Sequence, residues 1–430
     1  MLNMNKTLLD RHEEGKPIRV GIVGAGQMGK GLVSLMSRMK GITPAAVANR
    51  TLQKALDAYE IARIPREMVF EAKSVAQANE AISRGKFVVC EDMEILCGCD
   101  LIDAVVDATG NTDSGALIAV KAIQMGKHIV MLNVEADATI GHILKKEADG
   151  AGVIYTASSG DEPGAIKELY DFAESLGFEI LVIGKGKNNS PDYECNPDSV
   201  REEALRRGIA PNMLTSFKDC TNTMIEMTSI SNATGFRADV MGMHGVRADE
   251  KTVCDVLRLK SEGGVLNSYK AVDYVYGLDP GVFLIFTTDM PQVHHEIQYL
   301  KMGGGPNYLL YRPYHLCSLE TPLTAARAVI YNEACLAMKP YPVSEAVAIA
   351  KKDLKAGQYI DGIGGYYTYA TMTDHEKAMK QNLVPIGIIN NKTKTARDIK
   401  KGELLRREDL IFDENSPVYK LRLKQEKIIG

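Results

Sequence analysis

The sequence predicts an α/β protein that begins with a doubly wound parallel sheet. Three observations predict it: apolar segments of strand length alternate with segments of helical periodicity, a glycine-rich turn joins the first strand to the first helix, and this alternation ends near residue 158. A chain of 430 residues is too long for one ordinary core. We therefore expect a doubly wound domain over 1–157, a central α+β domain over 158–381 and a small β-rich domain over 382–430.

Strands and helices are predicted in order along the first two domains. In the first domain, strands are predicted at 18–23, 43–48, 101–107, 128–132 and 152–155, and helices at 29–39, 114–125 and 138–149. In the central domain, helices are predicted at 163–176, 251–259 and 322–338, and strands at 179–183, near Tyr274 and at 282–287. The polar stretch 184–197 is predicted to be a loop, and short strands and turns are expected to dominate the last domain.

The composition is that of an ordinary globular protein, with 45% hydrophobic residues, 25% charged residues and a formal net charge of −4. This balance argues against nucleic acid as a partner, and no apolar run approaches the ~18 residues needed to cross a bilayer. Residues 1–16 lack the pattern of a secretion signal. We therefore expect a cytoplasmic protein without a membrane partner, in which the eight cysteines are reduced thiols.

A dinucleotide-binding pattern follows the first predicted strand. Gly24 permits the tight turn, Gly26 lets the backbone approach a pyrophosphate, and Gly29 lets the helix pack on the strand. Gln27 and Met28 begin that helix, whose amino terminus faces the phosphates. The pattern predicts a Rossmann domain that binds a nicotinamide dinucleotide.

The end of the second strand indicates which nicotinamide cofactor is used. An acidic residue there would bind the ribose 2′-hydroxyl of NAD, but the sequence has Asn49, Arg50 and Thr51. Arg50 suits a 2′-phosphate, and its two neighbours offer further hydrogen bonds, which favours NADP. The alternative is a solvated arginine at a helix start, with use of both NAD and NADP.

Further polar residues follow the later strands of the first domain, at the edge where ligands bind in open α/β sheets. The predicted cofactor contacts at this edge are Ala108, Thr109, Gly110 and Asn133. Glu135 and Asp137 come next and place two carboxylates near the reacting carbon. Either one of them is catalytic, with Glu135 preferred, or both cap the following helix.

Two lysines in the predicted loop are the leading candidates for proton handling, because hydride transfer requires a group that manages the proton at the carbonyl oxygen. Lys185 and Lys187 are flanked by glycines and followed by Asn188 and Asn189, as expected for a mobile active-site loop. Isolated surface lysines would lack these neighbours. We expect Lys187 above all to contact the substrate, with the two asparagines beside it.

Arg312 and His315 form the candidate site for a substrate phosphate, since arginine offers a bidentate fork. A structural pairing of Arg312 with Glu320 is the alternative. A hydroxyketone substrate would also call for a divalent ion. The clustered acids near the expected site are Glu135, Asp137, Asp161 and Glu162, although acids at helix starts have a simpler capping role.

The amino-terminal domain and residues 155–227 resemble the homoserine dehydrogenase-like oxidoreductases. Residues 156–166 are similar to that family's glycine- and proline-bearing turn, and 184–189 are similar to the polar turn that opens its substrate domain. The resemblance implies a catalytic role for Asp219. However, the lysine that those enzymes carry one helical turn later is absent here, which argues against homoserine as the substrate.

Over nearly its whole length the chain is more similar to the type II 1-deoxy-D-xylulose 5-phosphate reductoisomerase-like proteins, which add a carboxyl-terminal SAF domain. Residues 397–403 carry the SAF likeness, and 311–316 and 243–245 carry the rest. We therefore expect a homo-oligomeric NADP-dependent oxidoreductase acting on a small hydroxylated or phosphorylated carbonyl compound. Two alternatives stay open: a polyol or sugar-acid dehydrogenase of carbohydrate catabolism, and a non-catalytic NADP-binding sensor.

Overall fold

The computed structural model describes residues 3–429 and divides into two compact units. Unit 1 comprises the residues up to Asp161 together with 316–337 and 420–429, and unit 2 comprises 162–315 and 338–419. This division differs from the three predicted domains. The carboxyl-terminal residues do not form a unit of their own, because 382–419 belong to unit 2 and 420–429 belong to unit 1.

The helices and strands alternate along most of the chain. Up to residue 161 they are α1 (Met4–Glu13), β1 (Ile18–Val23), α2 (Gln27–Met36), β2 (Ile42–Ala48), α3 (Leu52–Ile61), β3 (Val69–Glu71), α4 (Val75–Ser83), β4 (Phe87–Cys90), α5 (Met93–Cys97), β5 (Ala104–Asp107), α6 (Thr112–Gln124), β6 (His128–Met131), α7 (Val134–Ala151) and β7 (Tyr155–Ala157). Up to residue 315 they are α8 (Glu162–Ser175), β8 (Glu179–Lys187), α9 (Arg201–Arg207), α10 (Pro211–Lys218), α11 (Thr221–Thr234), β9 (Arg237–Ala238), β10 (Val246–Arg247), α12 (Val253–Val256), β11 (Ala271–Tyr276), β12 (Val282–Thr287), α13 (Pro291–Tyr299) and β13 (Tyr308–Arg312). The remaining elements are α14 (Thr321–Tyr331), β14 (Ser344–Ala350), β15 (Thr368–Asp374), α15 (His375–Lys380), β16 (Lys394–Thr395), β17 (Leu410–Ile411) and α16 (Pro417–Ile428).

Unit 1 contains a seven-stranded sheet in the order β3-β4-β2-β1-β5-β6-β7, in which all neighbouring strands are parallel. The predicted doubly wound Rossmann fold is confirmed. The strand order reverses on either side of β1, so β2 and β5 flank the carboxyl end of β1, where ligands bind in such sheets. Sequence analysis missed β3 and β4, which are only three and four residues long.

Most of helix α16, from residue 420 onwards, belongs to unit 1, although the preceding residues belong to unit 2. Arg422, which is 1% exposed, donates to the carbonyl oxygen of Thr139 at 3.1 Å. The backbone amide of Ile143 donates to the side chain of Gln425 at 3.1 Å. The last helix of the chain is thus joined to α7 by side-chain hydrogen bonds to the backbone of α7.

Unit 2 is built on a sheet in the order β10-β11-β8-β12-β13, with β9 also paired to β11. The central strand β8 pairs in parallel with β11 and antiparallel with β12. An apolar core that includes Leu181, Val275 and Phe283 lies against one face of this sheet. Because side chains alternate between faces along a strand, Lys185 and Lys187 lie on one face of β8 and Gly184 and Gly186 on the other.

Strands β14 and β15 form an antiparallel pair within unit 2. Backbone bridges join this part of the chain to the residues beyond it, for example Val347 to Pro385 and Ile349 to Leu404. Backbone bridges therefore join the residues on either side of the predicted boundary between residues 381 and 382. The β-rich segment extends back to residue 344.

Candidate active site

The glycine turn of unit 1 has the geometry needed for a pyrophosphate. Gly24 has a φ of 105°, and a Cβ there would lie 2.7 Å from the carbonyl oxygen of Ala108. A Cβ on Gly29 would lie 2.0 Å from the carbonyl oxygen of Gly24, so the close approach of α2 to the turn requires glycine. A Cβ on Gly26 would meet nothing within 4 Å, which leaves open space beside the backbone where a phosphate can approach.

The amino terminus of α2 is open. Gly26 precedes the helix and has no side chain to cap it, Gln27 is exposed and Met28 is partly exposed. The first amides of the helix can therefore bind an anion. These residues fit the dinucleotide predicted for them.

The end of β2 combines a fixed asparagine with an exposed arginine. The side chain of Asn49 accepts a hydrogen bond from the amide of Ala25 at 3.1 Å and donates to the carbonyl oxygen of Thr51 at 2.9 Å. Asn49 thus holds the glycine turn against the end of β2. Arg50 is exposed and has neither a hydrogen bond nor an ion pair within the described residues, so its guanidinium is available to a ligand.

At the end of β5 the predicted cofactor contacts are partly occupied by contacts within the protein. Asp107 is fully buried and accepts hydrogen bonds from the amide and hydroxyl of Thr109 and from the side chain of Asn133. Burial raises the pKa of Asp107 to about 6 against these hydrogen bonds. The Asn133 amide also donates to the carbonyl oxygen of Asn111 and accepts from the amide of Ala136. The polar atoms of the Asn133 side chain thus hold the end of β5 to α7, and its contact with the cofactor stays a prediction. Gly110 has a φ of 65°, in the left-handed region that favours glycine.

Glu135 and Asp137 lie in the first turn of α7 but differ in environment. Asp137 is fully buried and accepts a hydrogen bond from the hydroxyl of Tyr155 at 2.8 Å, which is a structural contact. Glu135 is half-buried, and burial raises its pKa to about 7. Of the two, Glu135 has a pKa suited to acid–base exchange near neutral pH, whereas Asp137 holds β7 against α7 through its hydrogen bond with Tyr155.

The predicted loop around Lys185 and Lys187 is a strand. Both residues belong to β8, and both are at most 6% exposed. The glycines that suggested a loop are required by packing, because a Cβ on Gly184 would lie 2.0 Å from the carbonyl oxygen of Asp273, and one on Gly186 would lie 2.2 Å from the carbonyl group of Leu278. The prediction of a mobile loop is therefore wrong, although the two lysines do share one face of the sheet.

Lys185 lies between two buried carboxylates, Glu162 at the start of α8 and Glu226 in the middle of α11. Burial opposes its charge, but the two carboxylates outweigh burial and raise the pKa of the lysine. Burial and the charge of Glu162 raise the pKa of Glu226 to about 8 in spite of Lys185. The cluster therefore holds Lys185 between two acidic groups, of which Glu226 has a raised pKa.

Lys187 has a different environment. Its ammonium group donates to the carbonyl oxygen of Phe217 at 2.9 Å and to Asn189 Oδ1 at 3.2 Å, and within the described residues it has no ion pair with a carboxylate. Burial lowers the pKa of Lys187 and the charge of Lys185 adds to this effect, whereas Cys220 and Glu226 partly offset it. The lysine is thus a buried base without a counter-ion. Asn189 holds it in place, whereas Asn188 is exposed.

The predicted phosphate ligands are already engaged. Arg312 forms an ion pair with Glu168 at 3.1 Å and lies over the ring of Tyr314, while its predicted alternative pairing with Glu320 stays a prediction. His315 Nδ1 donates to the carbonyl oxygen of Pro280 at 2.7 Å, which turns Nε2 towards Glu162 at 3.5 Å.

Asp219 lies just before the first residue of α11. It is fully buried, forms an ion pair with Lys351 at 2.7 Å and accepts from the amide of Thr221 at 2.9 Å. Burial raises its pKa, and Lys351 partly offsets this effect. Its hydrogen bond to Thr221 fixes the start of α11, and its catalytic role stays a prediction.

Sequence reasoning missed Glu226 and Asn222, which lie one turn apart on α11, with the Asn222 amide donating to Glu226. A signal was present in the sequence. Helix α11 is buried along almost its whole length, yet it carries one carboxylate among small polar and apolar residues. A lone acid on an otherwise uncharged buried helix is costly unless it is paired, and this points to a partner such as Lys185.

Two of the four acids named as metal candidates have partners within the protein. Asp137 accepts from Tyr155, and Glu162 binds Lys185. Glu226 also binds Lys185, and both Glu162 and Glu226 belong to a group of acids whose oxygens could hold a metal ion. A metal site stays a prediction.

The comparison with protein families gives one match. Residues 160–321 match the family described as Oxidoreductase DRL, catalytic domain, which is less than half of the chain. The chain carries an oxidoreductase catalytic domain. The matched segment includes Glu162, Lys185, Lys187 and Glu226, so the candidate site of unit 2 lies inside it. Together with the glycine turn of unit 1, this confirms the prediction of an NAD(P)-dependent oxidoreductase and favours an enzyme over a non-catalytic sensor.

No curated protein matches the sequence. Structural similarity is found to a probable dehydrogenase from Thermotoga maritima, with 13% identity, a TM-score of 0.42 and coverage of 74% of this chain and 90% of that chain. A scyllo-inositol dehydrogenase from Lactobacillus casei shares 13% identity with a TM-score of 0.39 over 74% of this chain and 91% of that one. A myo-inositol dehydrogenase from Corynebacterium glutamicum shares 11% identity with a TM-score of 0.40 over 73% and 88%. The resemblances to homoserine dehydrogenases and to SAF domains stay predictions.

None of the helices within residues 3–429 is long and apolar enough to cross a membrane. The eight cysteines are all free thiols.

Proposed function

We propose that the chain is an NADP-dependent dehydrogenase that interconverts a hydroxyl and a carbonyl group on a small polyhydroxylated compound, a polyol or a sugar acid. The glycine turn of unit 1 would hold the cofactor, which supplies hydride transfer when it is bound. The protein's own tasks are to orient the reacting carbon and to manage the hydroxyl proton. Exposed Arg50, with no carboxylate among residues 49–51, supports NADP over NAD.

The environment of Lys187 is the observation that best supports this proposal. It is the last residue of β8, it is buried, and its hydrogen-bond acceptors are neutral. A buried lysine without a counter-ion loses its proton more readily than an exposed one, which suits a group that exchanges a proton near neutral pH. Lys187 would donate a proton to the carbonyl oxygen during reduction and accept it during oxidation.

The contacts of Arg312 and His315 favour a substrate without a phosphate. Arg312 already has Glu168 as a counter-ion, and His315 is held by Pro280. Binding a phosphate would require breaking these contacts. A reductoisomerase acting on a phosphorylated ketose, with help from a divalent ion, is therefore less well supported than a dehydrogenase that acts on hydroxyl groups alone.

The experiment is a screen of polyols, sugar acids and phosphorylated ketoses with NADP(H) and NAD(H), followed by kinetics of Lys187→Ala on the best substrate. Loss of a proton-handling group should lower kcat by roughly 10²–10⁴-fold while the NADPH dissociation constant stays unchanged. Lys260→Ala is the matched control, because Lys260 is an exposed lysine of unit 2 that contacts Asn267. Turnover of Lys187→Ala within threefold of the unchanged protein would reject this role.

A further inference from the structure

Three parallel strands of unit 2 end side by side in a row of polar residues. Arg247, Tyr276 and Lys187 are the last residues of β10, β11 and β8. The strand register pairs Arg247 with Tyr276 and Tyr276 with Lys187. Register partners in parallel strands project from the same face of a sheet, so these three residues, which we call the terminal row, lie on the face that bears the candidate site.

The terminal row carries two cations and no counter-ion. Lys187 donates to neutral oxygens, and Arg247 donates to the hydroxyl of Ser190 at 3.4 Å. Neither forms an ion pair with a carboxylate within the described residues. The guanidinium of Arg247 lies over the ring of Tyr276, 5.1 Å from its centroid, which fixes the plane of the guanidinium while leaving most of its N–H groups unused.

Tyr276 adds an unused polar group to the row. Its hydroxyl is buried near that of Tyr274, but no hydrogen bond within the geometric limits joins it to the described residues. A buried hydroxyl without a partner costs free energy, and a bound ligand would recover that cost. Its strand lies between the strands of the two cations, so an anionic group bound by Arg247 would lie within reach of this hydroxyl.

We propose that Arg247 and Tyr276 bind a carboxylate of the substrate, so that the substrate is a sugar acid rather than a neutral polyol. The inference rests on the proposed function, because it takes Lys187 as the group at the reacting carbon. Neighbouring strands lie about 4.8 Å apart, so the ends of β10 and β8 are separated by about 10 Å. That spacing suits a short hydroxy acid whose carboxylate binds at Arg247 and whose reacting carbon lies beside Lys187.

A carboxylate fits the row better than a phosphate does. A single guanidinium edge with one adjacent hydroxyl matches a planar group with two oxygens. A phosphate, with three oxygens and a larger charge, is usually bound by several donors, for example a helix amino terminus together with a cation. The terminal row offers no helix amino terminus.

The test is ligand binding, which does not depend on turnover. The full chain saturated with NADP⁺ is titrated with D-xylonate, xylitol and D-xylulose 5-phosphate, which have five carbons and differ in their end groups, and with D-erythronate and D-gluconate. Binding is followed by thermal shift and calorimetry. We expect at least one of the acids to bind more tightly than xylitol and the phosphate ester.

Arg247→Met, which keeps an unbranched side chain without the charge, should weaken binding of that acid roughly 10- to 100-fold. Arg247→Lys should restore part of the affinity, and Arg206→Met, at an exposed arginine of α9, should change nothing. Circular dichroism and an unchanged NADP⁺ affinity check the fold of each variant. Tighter binding of xylitol or of the phosphate ester, absence of binding by all three acids, or equal affinity in Arg247→Met would overturn the proposal. Binding of an acid that depends on Arg247, without hydride transfer, would contradict the proposed function and support only the carboxylate site at Arg247 and Tyr276.

Discussion

At the scale of single residues, the charges around β8 determine what each lysine can do. Lys185 and Lys187 are two positions apart on the same strand, yet one is held between Glu162 and Glu226 while the other contacts only neutral groups. The first lysine is therefore locked in its charged form, and the second is free to exchange a proton. The pH dependence of stability should reveal this arrangement.

Glu226 should make the protein less stable as the pH rises. Its pKa is about 8 in the folded protein against 4.5 for an ordinary glutamate, so the folded state holds a proton between these values that the unfolded state has lost. Stability then falls with rising pH through that window, by at most about 1.4 kcal/mol per pH unit. Glu226→Gln, which keeps a neutral side chain beside Lys185, should show a flatter dependence.

The measurement is the midpoint of thermal unfolding of both proteins at several values between about pH 5 and pH 8. Glu135, whose pKa is raised to about 7, contributes equally to both and cancels in the difference. Parallel curves would show that Glu226 keeps its charge in the folded protein.

Arg50 should determine the choice between the two nicotinamide cofactors. Arg50→Asp removes a charge-assisted hydrogen bond to the 2′-phosphate and adds repulsion, so NADPH binding should weaken by about 1.5–3 kcal/mol or more. NADH is the internal control, since it lacks the phosphate. Affinities for NADPH and NADH that change by the same factor would contradict this role.

At the scale of elements, most of the unit 1 sheet could be predicted because parallel strands are continuous apolar runs. Strand β1, for example, is buried at five of its six positions. Strand β8 could not be extended correctly from the sequence, since Gly184 and Gly186 are typical of loops. Glycine is instead required at these two positions because neighbouring backbone approaches β8 closely, which is a tertiary contact.

The candidate site was predictable to a similar degree. Gly24, Gly26 and Gly29 have local roles that the sequence itself reveals. Glu226 and Lys351 act through partners distant in the chain, Lys185 and Asp219, and a pattern of spacing does not reveal such pairs.

Helix α16 should contribute to the stability of unit 1. Arg422→Met would leave the carbonyl oxygen of Thr139 without its side-chain donor and Glu426 without its partner, at a cost of about 2–4 kcal/mol. Lys424→Met is the matched control, because Lys424 is half exposed and pairs with Glu147 at the surface, so its loss should cost less than about 1 kcal/mol. Chemical denaturation measures both values. Equal stability of the two variants would show that the buried contacts of Arg422 add no more stability than a surface ion pair does.

At the scale of the whole molecule, the glycine turn proposed to bind the cofactor belongs to unit 1, and Lys187, the proposed proton-handling residue, belongs to unit 2. The carboxyl-terminal residues contribute to both units, with α16 in unit 1 and Lys351 in unit 2. Cofactor binding and proton handling should therefore be separable by mutation, although removal of the carboxyl-terminal part of the chain should weaken both. A chain ending at residue 381 would lose α16, so it should bind NADPH less well than the full chain.

The most direct test of the account is single-turnover transfer of deuterium from the nicotinamide C4 of labelled NADPH to a keto acid or keto polyol. Deuterium appearing on the product carbon would be read by mass spectrometry. For the full chain we expect complete transfer, and for Lys187→Ala we expect transfer slowed roughly 10²–10⁴-fold with NADPH binding unchanged. No transfer by the full chain to any of these compounds, or transfer by Lys187→Ala at the same rate as the full chain, would contradict the account.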